Sequence, residues 1–278
     1  MIQHAFTSTD GIRQVYHTAG TGPVLVAHSG GPGIDFAYLR SPLLEENFTM
    51  VYVEPVGTGS SGRLPDNAYH LANYVRFLAE LVDHLGEPRV RLLGHSHGGF
   101  VVQQYTLEHP DRVAGLALYD TSPVTGPEFW AGAMAGLAAY PERHPDVPDA
   151  AAVPAAFQRA VTATNDEDLS DGLRQAVPAY FADFWSRRAE FKGFQAGVRA
   201  WAAPAGAADP VPFDVRPRLA EITAPTVVIT GGYDFICGPK WAAMLHDGIP
   251  GARLVTLANS GHFGHIEEPE AFAAALTW

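Results

Sequence analysis

The sequence predicts an α/β fold in which a mostly parallel sheet is covered by helices on both faces and a helical segment is inserted late in the chain. Short apolar runs recur at 23–27, 48–53, 89–93, 114–119, 226–230 and 253–257. The first two are continuous rather than alternating, the mark of strands covered on both faces. Between these runs, Leu71, Tyr74, Val75, Leu78, Leu81, Val82 and Leu85 fall on one helical stripe, and strands alternating with amphipathic helices indicate a parallel sheet. From Ser122 to about Arg216 the rhythm stops, leaving Ala-rich helical stretches, prolines and many aromatics.

Taken in order, residues 2–17 hold two short segments either side of Asp10-Gly11. That dipeptide suits a tight hairpin turn, so an antiparallel pair is expected at the sheet edge. Ala37-Tyr38-Leu39 begins a short helix, and Gly86 caps the helix that starts at Leu71. A further helix runs from Phe100 to His109 and stops at Pro110, and the chain closes with a helix from about Pro269. The expected organisation is a core of residues 1–121 and 217–278, with residues 122–216 as a helical lid.

Hydrophobic residues at 47% and charged residues at 17% are values of a globular chain. A net charge of −12 without a basic run argues against nucleic acid or an anionic membrane as partner, since both need clustered Lys and Arg. The one cysteine, Cys237, excludes an intrachain disulfide. With no leader-like N-terminus and no apolar stretch approaching ~18 residues, a cytoplasmic location is expected.

Chemistry concentrates at Leu92-Leu93-Gly94-His95-Ser96-His97-Gly98-Gly99-Phe100. Gly-x-Ser-x-Gly between a strand and a helix is a nucleophile elbow, a sharp turn that lifts the serine hydroxyl clear of the backbone. Glycine is common here, 28 of 278 residues, so the pattern counts only because strand, motif and helix follow in the required order. A serine needs a histidine to take its proton, and that histidine needs a carboxylate to hold it. In open α/β sheets such groups sit on loops at the carboxyl ends of strands. Gly231-Gly232-Tyr233-Asp234 and Asn259-Ser260-Gly261-His262 occupy those places. Asp120, after another strand, is an alternative acid, and His265 an alternative base.

The order Ser96, Asp234, His262 resembles the α/β-hydrolases along nearly the whole chain, and the resemblance implies an α/β-hydrolase sheet, mostly parallel with an N-terminal antiparallel edge. His28-Ser29-Gly30-Gly31-Pro32-Gly33 is similar to the His-Gly-Gly-Pro-Gly stretch of the proline iminopeptidase branch. By that resemblance the oxyanion donors are the backbone N–H groups of His97 and Gly31, with Gly30 as the alternative to Gly31. The branch's Asp-Gln-Arg-Gly-x-Gly-x-Ser landmark corresponds to Glu54-Pro55-Val56-Gly57-Thr58-Gly59-Ser60, which lacks the arginine and is expected to shape the cleft.

The resemblance implies a serine hydrolase that cleaves an amide through an acyl-enzyme, releasing an N-terminal amino acid from a short peptide or aminoacyl small molecule. Members hold the substrate ammonium with glutamates in the lid and one directly after the catalytic aspartate. Here Phe235 stands in the latter place. An esterase, lactonase or general amide hydrolase acting on an apolar small molecule is the alternative. Candidate substrate contacts are Glu190, Trp185 and Phe235, with Glu128, Glu142 and Asp183 as further lid carboxylates. No cofactor is expected. His28, His95 and His97 are expected to fill space and hydrogen-bond rather than to bind a metal, and Cys237 to be a small buried hydrophobe.

Overall fold

The computed structural model describes residues 1–204, 206–207 and 211–277. Eight strands form one sheet in the order β1-β2-β4-β3-β5-β6-β7-β8. They are β1 (Ile2–Thr7), β2 (Arg13–Ala19), β3 (Val24–His28), β4 (Thr49–Glu54), β5 (Val90–His95), β6 (Val113–Tyr119), β7 (Thr226–Gly231) and β8 (Arg253–Leu257). β1 pairs with β2 and β2 with β4 antiparallel; every other pairing is parallel. The N-terminal hairpin therefore forms the antiparallel edge that Asp10-Gly11 predicts.

Each buried strand supplies two cores, because successive side chains point to opposite faces. In β3, Val26 joins one core while Leu25 and Ala27 join the other; in β6, Leu116 and Leu118 are divided in the same way from Ala117 and Tyr119. Over the first face lie α2 (Leu71–Leu85), α3 (His97–Glu108) and α8 (Pro239–Gly248). The second face is covered by α1 (Pro42–Glu45) and by α10 (Pro269–Ala275), which follows the short α9 (Gly264–Glu267). Gly86 ends α2 at φ 72°, the left-handed conformation that glycine adopts without steric cost.

Two details go beyond the sequence reading. β8 is an outer strand, and only Leu257 is buried in it, with Leu254 39% exposed. The helix α8 was not anticipated, although Pro239 at its first turn and the spacing of Trp241, Ala242 and Leu245 on its buried face are a helical signal.

The segment between β6 and β7 carries α4 (Pro127–Ala138), α5 (Val153–Val161), α6 (Asp166–Ala176) and α7 (Arg188–Gly197). Among the described residues its extended pairings are two isolated bridges, Ile34 to Ala200 and Val124 to Asp214. Its aromatics build cores of their own: Phe157 with Tyr140 and Leu137, and Phe181 with Phe184 and Phe191. No helix among the described residues is long and apolar enough to cross a membrane.

Candidate active site

Strand order reverses between β3 and β5, which are neighbours with His28 beside Gly94. Loops leaving the carboxyl ends of such strands diverge and open a crevice. The loop after β3 carries Gly30 and Gly31; the turn after β5 carries Ser96. Ser96 sits at φ 53°, ψ −121°, a strained conformation for a residue with a side chain. Close approach enforces the glycines around it: a Cβ on Gly98 would come 2.2 Å from the His28 carbonyl oxygen, and one on Gly94 would come 2.4 Å from Val102. His97 is the first residue of α3, so its N–H points out of the helix end without an intrahelical acceptor.

The loops after β7 and β8 bring Asp234 and His262 to the same crevice. His262 Nδ1 lies 2.8 Å from Asp234 Oδ2, and both side chains are almost wholly buried. The other oxygen, Asp234 Oδ1, accepts the N–H groups of Ile236 at 2.9 Å and Cys237 at 3.1 Å. With Nδ1 thus engaged, His262 Nε2 has no partner among the described residues and His262 lines the cavity together with Ser96. His262 is anchored by its backbone as well, donating its N–H to the Tyr180 carbonyl at 2.7 Å.

Of the alternatives raised by the sequence, His265 is committed elsewhere. Its Nε2 meets the Tyr38 carbonyl at 2.7 Å and its Nδ1 the Tyr119 hydroxyl at 3.0 Å, and burial pushes its pKa down to about 4. Asp120 is buried beside Asp234 but makes no hydrogen bond to His262; its Oδ1 accepts the Gly231 N–H at 2.8 Å. The Gly30 N–H is taken by the Tyr38 hydroxyl at 2.7 Å, whereas those of Gly31 and His97 have no partner among the described residues. The two free N–H groups are therefore those of Gly31 and His97.

His95, flanking Ser96, bonds through Nδ1 to Tyr38 and through Nε2 to the His262 carbonyl. Burial holds His28 near pKa 4 and His97 near pKa 3, so all of these imidazoles are neutral. Potential metal-ligand atoms do converge, within 4.8 Å of one another, in two sets: His95, Asp120 and His262, and Asp234, Cys237 and His262. His262 belongs to both sets, and its Nδ1 is already bonded to Asp234. Burial and the nearby carboxyls raise the Cys237 thiol well above its ordinary pKa, which leaves it protonated and a poor nucleophile.

A cavity of about 600 Å³ opens on Ser96, in the middle of the range of small-molecule sites, roughly 300–1,000 Å³. Its wall is apolar: Ile34, Phe157, Leu169, Leu173, Val177, Phe194, Val198, Ile236 and Phe263 surround the serine, with Trp130 and Val161 partly exposed at the rim. The charged groups in the wall, Asp35 and Arg199, are bonded to each other at 2.8 Å. Tyr38, His95 and Tyr180 supply its other polar groups.

The expected substrate contacts lie elsewhere. Glu190 pairs with Arg187, the residue just before α7, and its side chain is 53% exposed. Trp185 packs edge-on against Phe184 in the segment between β6 and β7, and Phe235 sits behind Phe157 and Tyr180, whose rings form the wall in its place. Glu128 pairs with Lys240, Asp183 binds Ser186, and Glu142 is exposed. The Glu54–Ser60 loop is also outside the wall; Glu54 is buried, binding His17 Nε2 at 2.6 Å and the Ser60 N–H. Sequence reasoning missed Tyr38 and Tyr180 in the wall, since nothing local marks which face of a short turn meets a cavity.

Residues 22–269 match the alpha/beta hydrolase fold family, and the chain belongs to it. Within that class the chain is similar to a 2-hydroxy-6-oxononadienedioate/2-hydroxy-6-oxononatrienedioate hydrolase of Klebsiella pneumoniae, 26% identical over 268 residues covering 91% of this chain and 85% of the relative. A hydrolase of Pseudomonas aeruginosa superposes with a TM-score of 0.74 at 28% identity, over 99% of this chain and 96% of that one. An esterase from Exiguobacterium antarcticum superposes with the same TM-score at 23% identity, over 99% of this chain and 98% of its own. The similarity is to hydrolases of the fold at large, not to proline iminopeptidases in particular.

Proposed function

We propose that this protein hydrolyses a carboxylic ester or lactone with a neutral, apolar acyl part, through an acyl-enzyme on Ser96. The observation that carries the reading is the cavity wall: about 600 Å³ of space at the serine, lined by aliphatic and aromatic side chains, whose charged members Asp35 and Arg199 neutralise each other. A desolvated ammonium needs a carboxylate beside it. The lid carboxylates Glu190 and Glu128 are paired with Arg187 and Lys240 and exposed, so release of an N-terminal amino acid finds no support in the wall. A dienedioate, the substrate type in the Klebsiella relative's name, carries two carboxylates, whereas the one lysine or arginine among the described wall residues, Arg199, is already paired with Asp35.

The arrangement supports an acyl-enzyme route. Ser96 attacks the ester carbonyl as His262 Nε2 takes the hydroxyl proton. Asp234 holds Nδ1–H and balances the imidazolium that results. Negative charge on the carbonyl oxygen is met by the N–H groups of Gly31 and His97, the latter at the positive end of α3. The alcohol leaves with the proton from His262, and water repeats the sequence in reverse to free the acid.

The test is a panel of neutral aryl and alkyl esters, lactones and aminoacyl anilides, run with the wild type and Ser96→Ala. Turnover of neutral esters or lactones that grows with acyl length and vanishes in Ser96→Ala is expected. Preference for anilides with a free amino group, lost on N-acetylation, would restore the aminopeptidase reading.

A further inference from the structure

We propose that Asp120 is a second, protonated acid of the site: a positioning residue that steadies the Asp234 carboxylate and supports His262 when position 234 carries no charge. The proposal rests on the Ser96–His262–Asp234 reading above and extends it.

Asp120 follows β6 and is 1% exposed, with φ 41° in the left-handed region that side chains rarely adopt. Oδ1 accepts the Gly231 N–H; Oδ2 is buried without a hydrogen-bond partner. A bare carboxylate oxygen in that position is costly. A protonated one can donate instead, and the acceptor at hand is Asp234, whose charge together with burial pushes the Asp120 carboxyl well above its usual range.

Two carboxylates sharing a site cannot both ionise cheaply. Asp234 has three donors, the N–H groups of Ile236 and Cys237 and His262 Nδ1, where Asp120 has the Gly231 N–H and the Thr230 hydroxyl, too little to offset its burial beside Asp234. The charge therefore rests on Asp234 and the proton on Asp120. The titratable groups around Asp120 are Asp234, Cys237, Tyr119, His95 and His262; none is a fixed cation that would hold it ionised.

One further distance makes the residue more than ballast. A carboxylate oxygen of Asp120 and ring nitrogens of His95 and His262 lie within 4.8 Å of one another, so a shift of at most about 2 Å brings the second acid into hydrogen-bond distance of His262. In the wild type Asp120 keeps its proton throughout turnover. With Asn at 234, Asp120 gives that proton to water as the pH rises, and its carboxylate balances the imidazolium formed when His262 takes the Ser96 proton.

The test measures the rate of Ser96 labelling by a fluorophosphonate against pH in the wild type, D120N, D234N and the D120N/D234N pair. Replacing a triad acid by its amide costs ~10⁴-fold where nothing substitutes for it. D234N alone is expected to lose roughly 10- to 100-fold and to regain rate with pH beyond the point where the wild type has levelled. The double variant should fall to about the full 10⁴-fold loss and show no such rise. Equal rates and equal profiles in D234N and the double variant would overturn the proposal. Should D234N not fold, carbon NMR of the wild type labelled at the Asp carboxyls decides: one carboxyl still protonated at neutral pH, and missing in D120N, supports it, and its absence from the wild type overturns it. A wild type that does not label at all would instead remove Ser96 as nucleophile, leaving the NMR result to judge Asp120.

Discussion

The Tyr38 hydroxyl lies 2.6 Å from His95 Nδ1, at the centre of a chain that starts at the Gly30 N–H and ends on the His262 carbonyl. His95 is neutral because burial drives its pKa well down. Its Nε2 faces a carbonyl and so carries the hydrogen, while Nδ1 accepts from Tyr38. The loop presenting Gly31 is thereby tied to the loop presenting His262.

Removing that link should loosen the site without unfolding it. Tyr38→Phe leaves the Gly30 N–H and His95 Nδ1 without partners, a loss of about 1–3 kcal/mol for buried polar groups. The expected result is a kcat/KM lower by roughly 5- to 100-fold with an unchanged circular dichroism spectrum. Wild-type kinetics in the variant would show that the chain of hydrogen bonds does not matter to turnover.

Space around the serine is equally exacting. A Cβ on Gly30 would stand 2.9 Å from Ser96 Cβ and 3.1 Å from the Tyr38 hydroxyl, so Gly30→Ala must displace the serine. Misplacement by about 1 Å costs on the order of 100-fold, and the labelling rate of Ser96 by a fluorophosphonate should fall accordingly. Unaltered labelling would mean that the loop yields instead.

Acid should unfold the protein early. His28, His97 and His265 have folded pKa values of about 4, 3 and 4, below the 6.5 of a free imidazole. The unfolded chain thus binds more protons below pH 6.5, and stability falls as pH drops from there toward 4. At about 1.4 kcal/mol per unit per group, the loss amounts to several kcal/mol near pH 4, a large share of the stability of a typical domain. A fluorescence-monitored acid titration should show a cooperative transition at about pH 4–5. A native spectrum held well below that range would contradict the burial of these imidazoles.

Glu267 works in the opposite sense. Its carboxylate accepts the Gly261 N–H at 2.7 Å and the Ala182 N–H at 2.9 Å, bolting the segment before α7 to the His262 loop, yet burial raises its pKa to about 7 from 4.5. Its stabilising contribution is complete below pH 4.5 and is lost as pH rises through 7, by at most about 3 kcal/mol. Comparing the melting temperature of the wild type with that of Glu267→Gln from about pH 5.5 to 8 should show the wild type losing its advantage as pH increases. A constant difference would place the ionisation outside that window.

Much of the framework was legible because it is local. The elbow is written in Gly94, Ser96 and Gly98, whose spacing answers a steric demand within one turn. Asp234 and His262 follow strands whose apolar runs are plain, and the Leu71–Leu85 helix matches its stripe and its glycine cap. Less legible was β8, whose apolar residues look like those of a central strand until its place at the sheet edge is known.

The sequence by itself determined the alternation of strands and helices, the carboxyl-end loops that carry Ser96, Asp234 and His262, and the helical interruption before β7. Only the tertiary structure decided that Glu190 turns to Arg187 and away from the cavity, that Phe157 and Tyr180 rather than Phe235 form its wall, and that Asp120 lies beside Asp234. The physical reason is range: turns and strands obey sterics and periodicity within a few residues, whereas the face a lid helix offers to a cavity is set by packing between segments far apart in the chain.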